Sequence, residues 1–266
     1  MKTSIQLLNF ESSLMEITRI GHLCLAAAFV AATAFVSPVY GQTATATQGV
    51  VAAALDLSRY EADIVAFEEA DRTARPPAGG ILFVGSSIFR QWTNLPAQMS
   101  PLPVFNRAFG GSRTAEQLHY MDRIVLPYKP RVIVYYCGSN DVNANESAAA
   151  IASRYEAFSE RVRQALPDTR IYFASIIRAP QKRDRWTVVD DANARVREYS
   201  ARTPGRAYID LHPAVEDAPR QPRMDLYLPD QLHYLPPAYD RMADVIKPII
   251  ATAWAELSAD GASRRE

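Results

Sequence analysis

An α/β fold, with a parallel sheet covered by helices on both faces, is what this sequence predicts. Three observations predict it. Five short apolar runs, rich in β-branched and aromatic residues, recur at residues 81–84, 103–105, 131–137, 171–177 and 207–211. They are mostly apolar, and the one at 131–137 looks like a strand buried on both faces. Stretches with helical spacing separate most of them, which implies right-handed βαβ units. No repeat, low-complexity block or second composition regime interrupts the pattern, so one folded domain is expected.

The elements follow in order. Residues 55–70 carry Leu55, Ile64, Val65 and Phe67 among acidic residues and read as an amphipathic helix. The turn cluster Pro76-Pro77-Ala78-Gly79-Gly80 stops it. The strand at 81–84 follows, and the weaker one at 103–105. Residues 114–125 form the next helix, before the strand at 131–137. Residues 146–166 place Ile151, Tyr155, Phe158, Val162 and Leu166 near helical spacing. Residues 186–201 supply a helix between the last two strands, and residues 237–257 a closing one.

Composition narrows the function. The 266 residues carry 29 Lys plus Arg against 29 Asp plus Glu, a formal net charge of zero. Nothing in that balance calls for nucleic acid as a partner. Residues 23–36 are apolar except for Thr33. That run is too short for a spanning helix and fits the core of a secretory signal. Arg19 precedes it, Ser37-Pro38 ends it, and cleavage sites follow Gly41 or Ala46. Translation starts at Met1 or Met15. The reading is a signal over 1–41, a linker over 42–53 and one domain over 54–266. The protein is then exported, with no stable membrane span after signal removal; an uncleaved anchor is the alternative. Cys24 leaves with the signal, and Cys137 remains as a buried, inert thiol.

In such sheets, ligands bind beyond the carboxyl ends of the strands, where strand order reverses. The first strand ends in Gly85-Ser86-Ser87. Ser87 there is either a helix N-cap or a nucleophile, and a nucleophile needs a neighbouring base. After the second strand comes Asn106-Arg107-Ala108-Phe109-Gly110-Gly111-Ser112, either an ordinary turn or a place of close ligand approach. After the third comes Gly138-Ser139-Asn140-Asp141, whose Asn140 amide can donate. The stretch from Asp141 starts like a calcium loop but has Glu146 where Gly is required and Ala152 where a bidentate Glu belongs. Near the C-terminus, Asp230 and His233 stand three apart, a structural pair or an oriented base.

Taken together and in order, these blocks resemble the SGNH (GDSL-type) hydrolase family of serine esterases and lipases. The resemblance runs from about Ile81 to the C-terminal helix. It implies a flavodoxin-like, three-layer α/β/α fold with a five-stranded parallel sheet. It also implies Ser87 as nucleophile, His233 as base, Asp230 as its acidic partner, and Ser87, Gly111 and Asn140 as oxyanion donors. Ser86 stands where the family usually has Asp. The Gly-x-Ser-x-Gly elbow of α/β-hydrolases is absent.

The implied activity is hydrolysis of carboxylic esters through an acyl-enzyme, on a small-molecule or glycan ester. A carbohydrate O-acetylesterase or transacylase is the alternative within the family, and a non-catalytic exported binding module the alternative outside it. No cofactor is expected, and no His/Glu grouping has zinc-ligand spacing. The sequence sets no oligomeric state. His212 and Asp210 are rivals for base and acid; His119 is read as packed or solvated. Trp92, Tyr234 and Tyr239 either line a pocket or pack in the core. Arg178, Lys182, Arg183 and Arg185 read as a solvated loop, or more sharply as a site for an anionic substrate group.

Overall fold

A computed structural model describes residues 56–263. The expected signal, its cleavage sites, Met15, Cys24 and the linker lie outside them. Five strands form the main sheet: β1 (Ile81–Gly85), β2 (Val104–Asn106), β3 (Val132–Tyr136), β4 (Arg170–Ala174) and β5 (Arg206–Ile209). All pair parallel, in the order β2-β1-β3-β4-β5. Each falls within two residues of its predicted start. β3 and β4 end short of the predicted stretches, because Cys137-Gly138 and Ser175-Ile176-Ile177 turn out of the sheet into loops.

The apolar runs are continuous because each strand feeds two cores. Ile81, Phe83, Val132, Val134, Tyr136 and Ala174 point to one face; Leu82, Val84, Ile133, Tyr135, Ile171 and Phe173 point to the other. The second face is covered by α1 (Glu61–Ala74), α4 (Thr114–Ile124), α6 (Ala148–Ala165) and α7 (Trp186–Arg202). The first is covered by α2 (Ser87–Arg90), α3 (Leu95–Met99), α8 (His212–Val215) and α9 (Pro236–Ser263). Between β3 and α6 lies α5 (Ser139–Asn143). None of the described helices is long and apolar enough to cross a membrane.

Crossover handedness explains this division. The β1-to-β2 connection runs one way along the sheet, while those from β2 onward run the other way. Right-handed crossovers in opposite directions must pass over opposite faces. The reversal opens a crevice at the carboxyl ends of β1 and β3. The helix expected at Ser87 is the short α2; α3, α5 and α8 have too few residues for a readable period, so the sequence did not announce them. A small hairpin, β6 (Glu216–Ala218) with β7 (Gln221–Pro222), was also unannounced. The first helix starts at Glu61 rather than residue 55, because a 3-10 turn, Ser58–Tyr60, precedes it.

At the crevice the two strands come unusually close. Gly85 has φ +149°, and a Cβ there would lie 1.9 Å from the Tyr136 carbonyl oxygen. Gly85→Ala is therefore expected to cost about 3 kcal/mol or more, read as a lowered midpoint in urea unfolding.

Candidate active site

Helix α2 begins at the end of β1 and drives Ile88 and Phe89 into the core. Ser87 is left half-buried at its first turn and Arg90 exposed. Ser86 holds the N-cap position with extended backbone, and its side chain makes no cap. Its buried hydroxyl has no hydrogen-bond partner. The cap reading of Ser87 is thus replaced by a different contact: Ser87 Oγ lies 2.9 Å from His233 Nε2.

His233 Nδ1 in turn lies 2.6 Å from Asp230 Oδ2. A proton on Nδ1 satisfies the carboxylate and leaves the Nε2 lone pair facing the serine hydroxyl. The other carboxylate oxygen of Asp230 accepts the backbone N–H groups of Leu232 at 3.0 Å and His233 at 2.9 Å. Desolvation pushes the Asp230 carboxyl up, but the His233 ring and these two backbone donors outweigh it and hold it at about 2. Asp230 is therefore a carboxylate throughout the neutral range. The turn is closed by Leu228 N–H on the His233 carbonyl, 2.8 Å.

The loop after β2 is bonded to the end of β1, Phe109 N–H donating to the Gly85 carbonyl at 3.0 Å. Gly111 adopts φ +76°, and a Cβ there would lie 2.8 Å from the Tyr60 hydroxyl. Its carbonyl accepts from Arg59 Nη2 at 3.3 Å. Asn140, in α5, donates one Nδ2 hydrogen to the Ser112 carbonyl at 3.0 Å. The amide keeps a second hydrogen. Next to it, Asp141 is buried and accepts from Thr114 N at 3.1 Å and Thr114 Oγ1 at 2.5 Å. It thereby satisfies the open N-terminus of α4. Burial pushes its carboxyl up, against the Thr114 bonds and Arg154. The motif contained Asp141, but its spacing gave no hint of this role.

In the basic loop Arg183 is exposed, as a solvated segment requires, but Arg178, Lys182 and Arg185 are drawn into contacts. Arg178 pairs with Asp190 and Glu216, each at 2.8 Å. Arg183 lies over the Trp186 ring, 4.6 Å from its centroid. Arg185 donates to the Val142 carbonyl at 3.1 Å. Lys182 is 2 % exposed, and its Nζ donates to Ser139 Oγ at 2.6 Å and Ser139 O at 3.1 Å. Beside it, Gln181 N–H donates to the Gln231 carbonyl at 3.2 Å. The loop thus ties the Asn140 turn to the Asp230–His233 turn.

The remaining candidates fall elsewhere. His212 is buried with Nδ1 2.7 Å from Asp210 Oδ1 and with Nε2 unpartnered. Ser87 contacts His233 instead of this second pair. His119 is exposed, its ring edge-on to Tyr120. Trp92, Tyr234 and Tyr239 pack in the core. Cys137 is fully buried just past β3, and burial pushes its thiol well up. Among the described residues no three His, Cys, Asp or Glu side chains gather as a metal would require.

Residues 80–241 match the GDSL-like lipase/acylhydrolase family, more than half of the chain. The protein belongs to that family, whose members are hydrolases acting on esters. No curated protein matches the chain significantly. Solved structures share the fold at low identity. A Streptococcus pneumonia protein, provisionally named a platelet activating factor, aligns with TM-score 0.64 and 18 % identity, over 73 % of this chain and 93 % of its own. A GDSL-like lipase from Bacteroides thetaiotaomicron gives 0.60 and 18 %, over 74 % and 98 %. A carbohydrate esterase family 3 protein from Talaromyces cellulolyticus gives 0.54 and 16 %, over 67 % and 99 %.

Lys182 generates a stability prediction. Burial holds its amine at about 8, below the value of about 10.4 in an unfolded chain. Between these values the unfolded state binds more protons, so the lysine's contribution to stability rises with pH. The stability of wild type minus that of Lys182→Met should climb above pH 8 by up to about 1.4 kcal/mol per pH unit. Urea unfolding of both proteins at pH 7, 8 and 9 checks this.

Proposed function

We propose that the protein is a serine esterase that hydrolyses carboxylic esters through an acyl-enzyme on Ser87. The single observation that carries this reading is the unbroken chain from Ser87 Oγ through His233 to Asp230. His233 Nε2 takes the hydroxyl proton as Ser87 Oγ attacks the ester carbonyl carbon. The tetrahedral oxyanion receives the N–H groups of Ser87 and Gly111 and the free Nδ2 hydrogen of Asn140. His233 then gives its proton to the leaving alcohol. It next takes one from water, which attacks the acyl carbon, and returns it to Ser87 Oγ as the acyl–oxygen bond breaks and the acid leaves. Asp230 keeps the imidazole in the required tautomer and stabilises its charged form.

A second reading narrows the substrate to an O-acetylated sugar. It draws on fold-level similarity to the Talaromyces carbohydrate esterase and to an acetyl esterase solved with acetate. A non-catalytic binding module has less support, because Ser86, its motivating departure, takes no part in the Ser87–His233–Asp230 chain. The apolar run at 23–36 supports export of a single catalytic domain over 54–266.

Hydrolysis of p-nitrophenyl acetate by wild type, Ser87→Ala, Ser86→Ala and Asn140→Ala tests the mechanism. Ser87→Ala should be inactive and Ser86→Ala mildly affected. Asn140→Ala should lose about 10²–10³-fold in kcat with little change in KM. Abolished turnover in Ser86→Ala, with activity kept in Ser87→Ala, would overturn the nucleophile assignment.

A further inference from the structure

Ser87 and Arg90 open and close the four-residue helix α2. Three apart on a helix, they share a face. Ile88 and Phe89 anchor the opposite side in the core, so the serine and the guanidinium both look outward. Arg90 reaches across to the loop after β2, and its guanidinium packs against Gly110. A Cβ at Gly110 would stand 2.6 Å from Arg90 Nε, 3.1 Å from Cζ and 3.2 Å from Nη2. Gly110 is therefore the residue whose missing side chain gives the guanidinium its seat. That seat adjoins Gly111, one of the proposed oxyanion donors.

Arg90 is also without a counter-charge. Among the described residues its guanidinium has no ion pair and no hydrogen bond, whereas Arg178 and Arg123 each hold two carboxylates. Its neighbours add to the imbalance. Arg59 and Arg113 both lean on Glu116, at 2.7 and 3.6 Å. Glu116 is fully buried and the one carboxylate they share. The stretch from Gly110 to Glu116 is thus touched by three guanidinium groups, Arg90, Arg59 and Arg113, and by two carboxylates, Glu116 and Asp141, neither of which is ion-paired with Arg90. An exposed planar fork of donors, unneutralised and one helical turn from the attacking serine, matches a carboxylate or phosphate presented edge-on.

We propose that Arg90 is a specificity-determining residue that selects esters bearing an anionic oxyacid group, carried on either the acyl or the alcohol side of the scissile bond. This rests on the esterase reading above. It also moves the anion-recognising role away from the loop at 178–185, whose cations are occupied by protein partners or by the Trp186 ring.

The test compares kcat/KM for matched esters. p-Nitrophenyl hemiglutarate against p-nitrophenyl valerate places the charge on the acyl side. 4-Acetoxybenzoate against its methyl ester places it on the alcohol side. Wild type should favour the anionic member of at least one pair. Arg90→Gln should lower that anionic-to-neutral ratio about tenfold, the low end for a charge-assisted contact at an exposed position. Arg90→Lys should restore only part, because the charge returns without the fork. Added salt should shrink the wild-type preference. Each ratio is taken on a single protein, so partial loss of folded enzyme cancels. Ratios equal in wild type and Arg90→Gln for both pairs, alongside valerate hydrolysis, would overturn the Arg90 proposal and leave the esterase reading standing. Wild type turning over none of the four esters would overturn the esterase reading, and the Arg90 proposal with it.

Discussion

The Gly85 carbonyl is the point on which the site's geometry depends. It sits at the end of β1, and two groups from the β2–α4 connection and one from α4 converge on it. The Phe109 N–H donates at 3.0 Å, Gln117 Nε2 at 2.9 Å and Ser112 Oγ at 3.3 Å. On the other side, Ser86 N–H donates to the Tyr136 carbonyl at 3.0 Å, locking the exit of β1 to the exit of β3. These are buried groups, so each bond left unmade would carry its full desolvation penalty. The loop conformation is fixed by that accounting rather than by local propensity.

From this point the network extends outward. The carbonyl of Ser112 accepts from Asn140, which aims the amide. Asp141, one residue on, holds the N-terminus of α4 and so the glycine-rich loop leading into it. Serine, glycine and asparagine thereby belong to one rigid unit built on β1 and β3. The His233 turn belongs to another, joined to the first by the Ser87 contact and by the 178–185 loop. That loop works through Lys182 on Ser139 and Gln181 on Gln231. A buried ammonium without a carboxylate partner is costly. Here it sits where the two halves of the site must keep register.

The sheet was legible because a strand facing two cores must be apolar along its whole length, as in Ile133-Val134-Tyr135. The site was legible as far as its chemistry demanded particular residue types at strand ends: a serine at the β1 exit, glycines after β2, Asn140 after β3, and Asp230 with His233. Family resemblance, not spacing, supplied their roles. Lys182 stayed hidden because a lysine among Arg178, Arg183 and Arg185 reads as solvated; only the fold reveals that it points inward to Ser139. The carboxylates that occupy Arg178 lie 12 and 38 positions away in the chain. Arg90 was hidden for the converse reason. A surface arginine carries no sequence signal until the structure shows what it lies on and what it lacks.

The proposed hydrolysis turns on Ser87 as a nucleophile made reactive by His233. Covalent labelling with a fluorophosphonate, located by peptide mass spectrometry, tests this most directly. One adduct is expected, on Ser87, formed by wild type and lost when His233 is replaced by Ala. An adduct on Ser86, or labelling of Ser87 at an undiminished rate in His233→Ala, would contradict it.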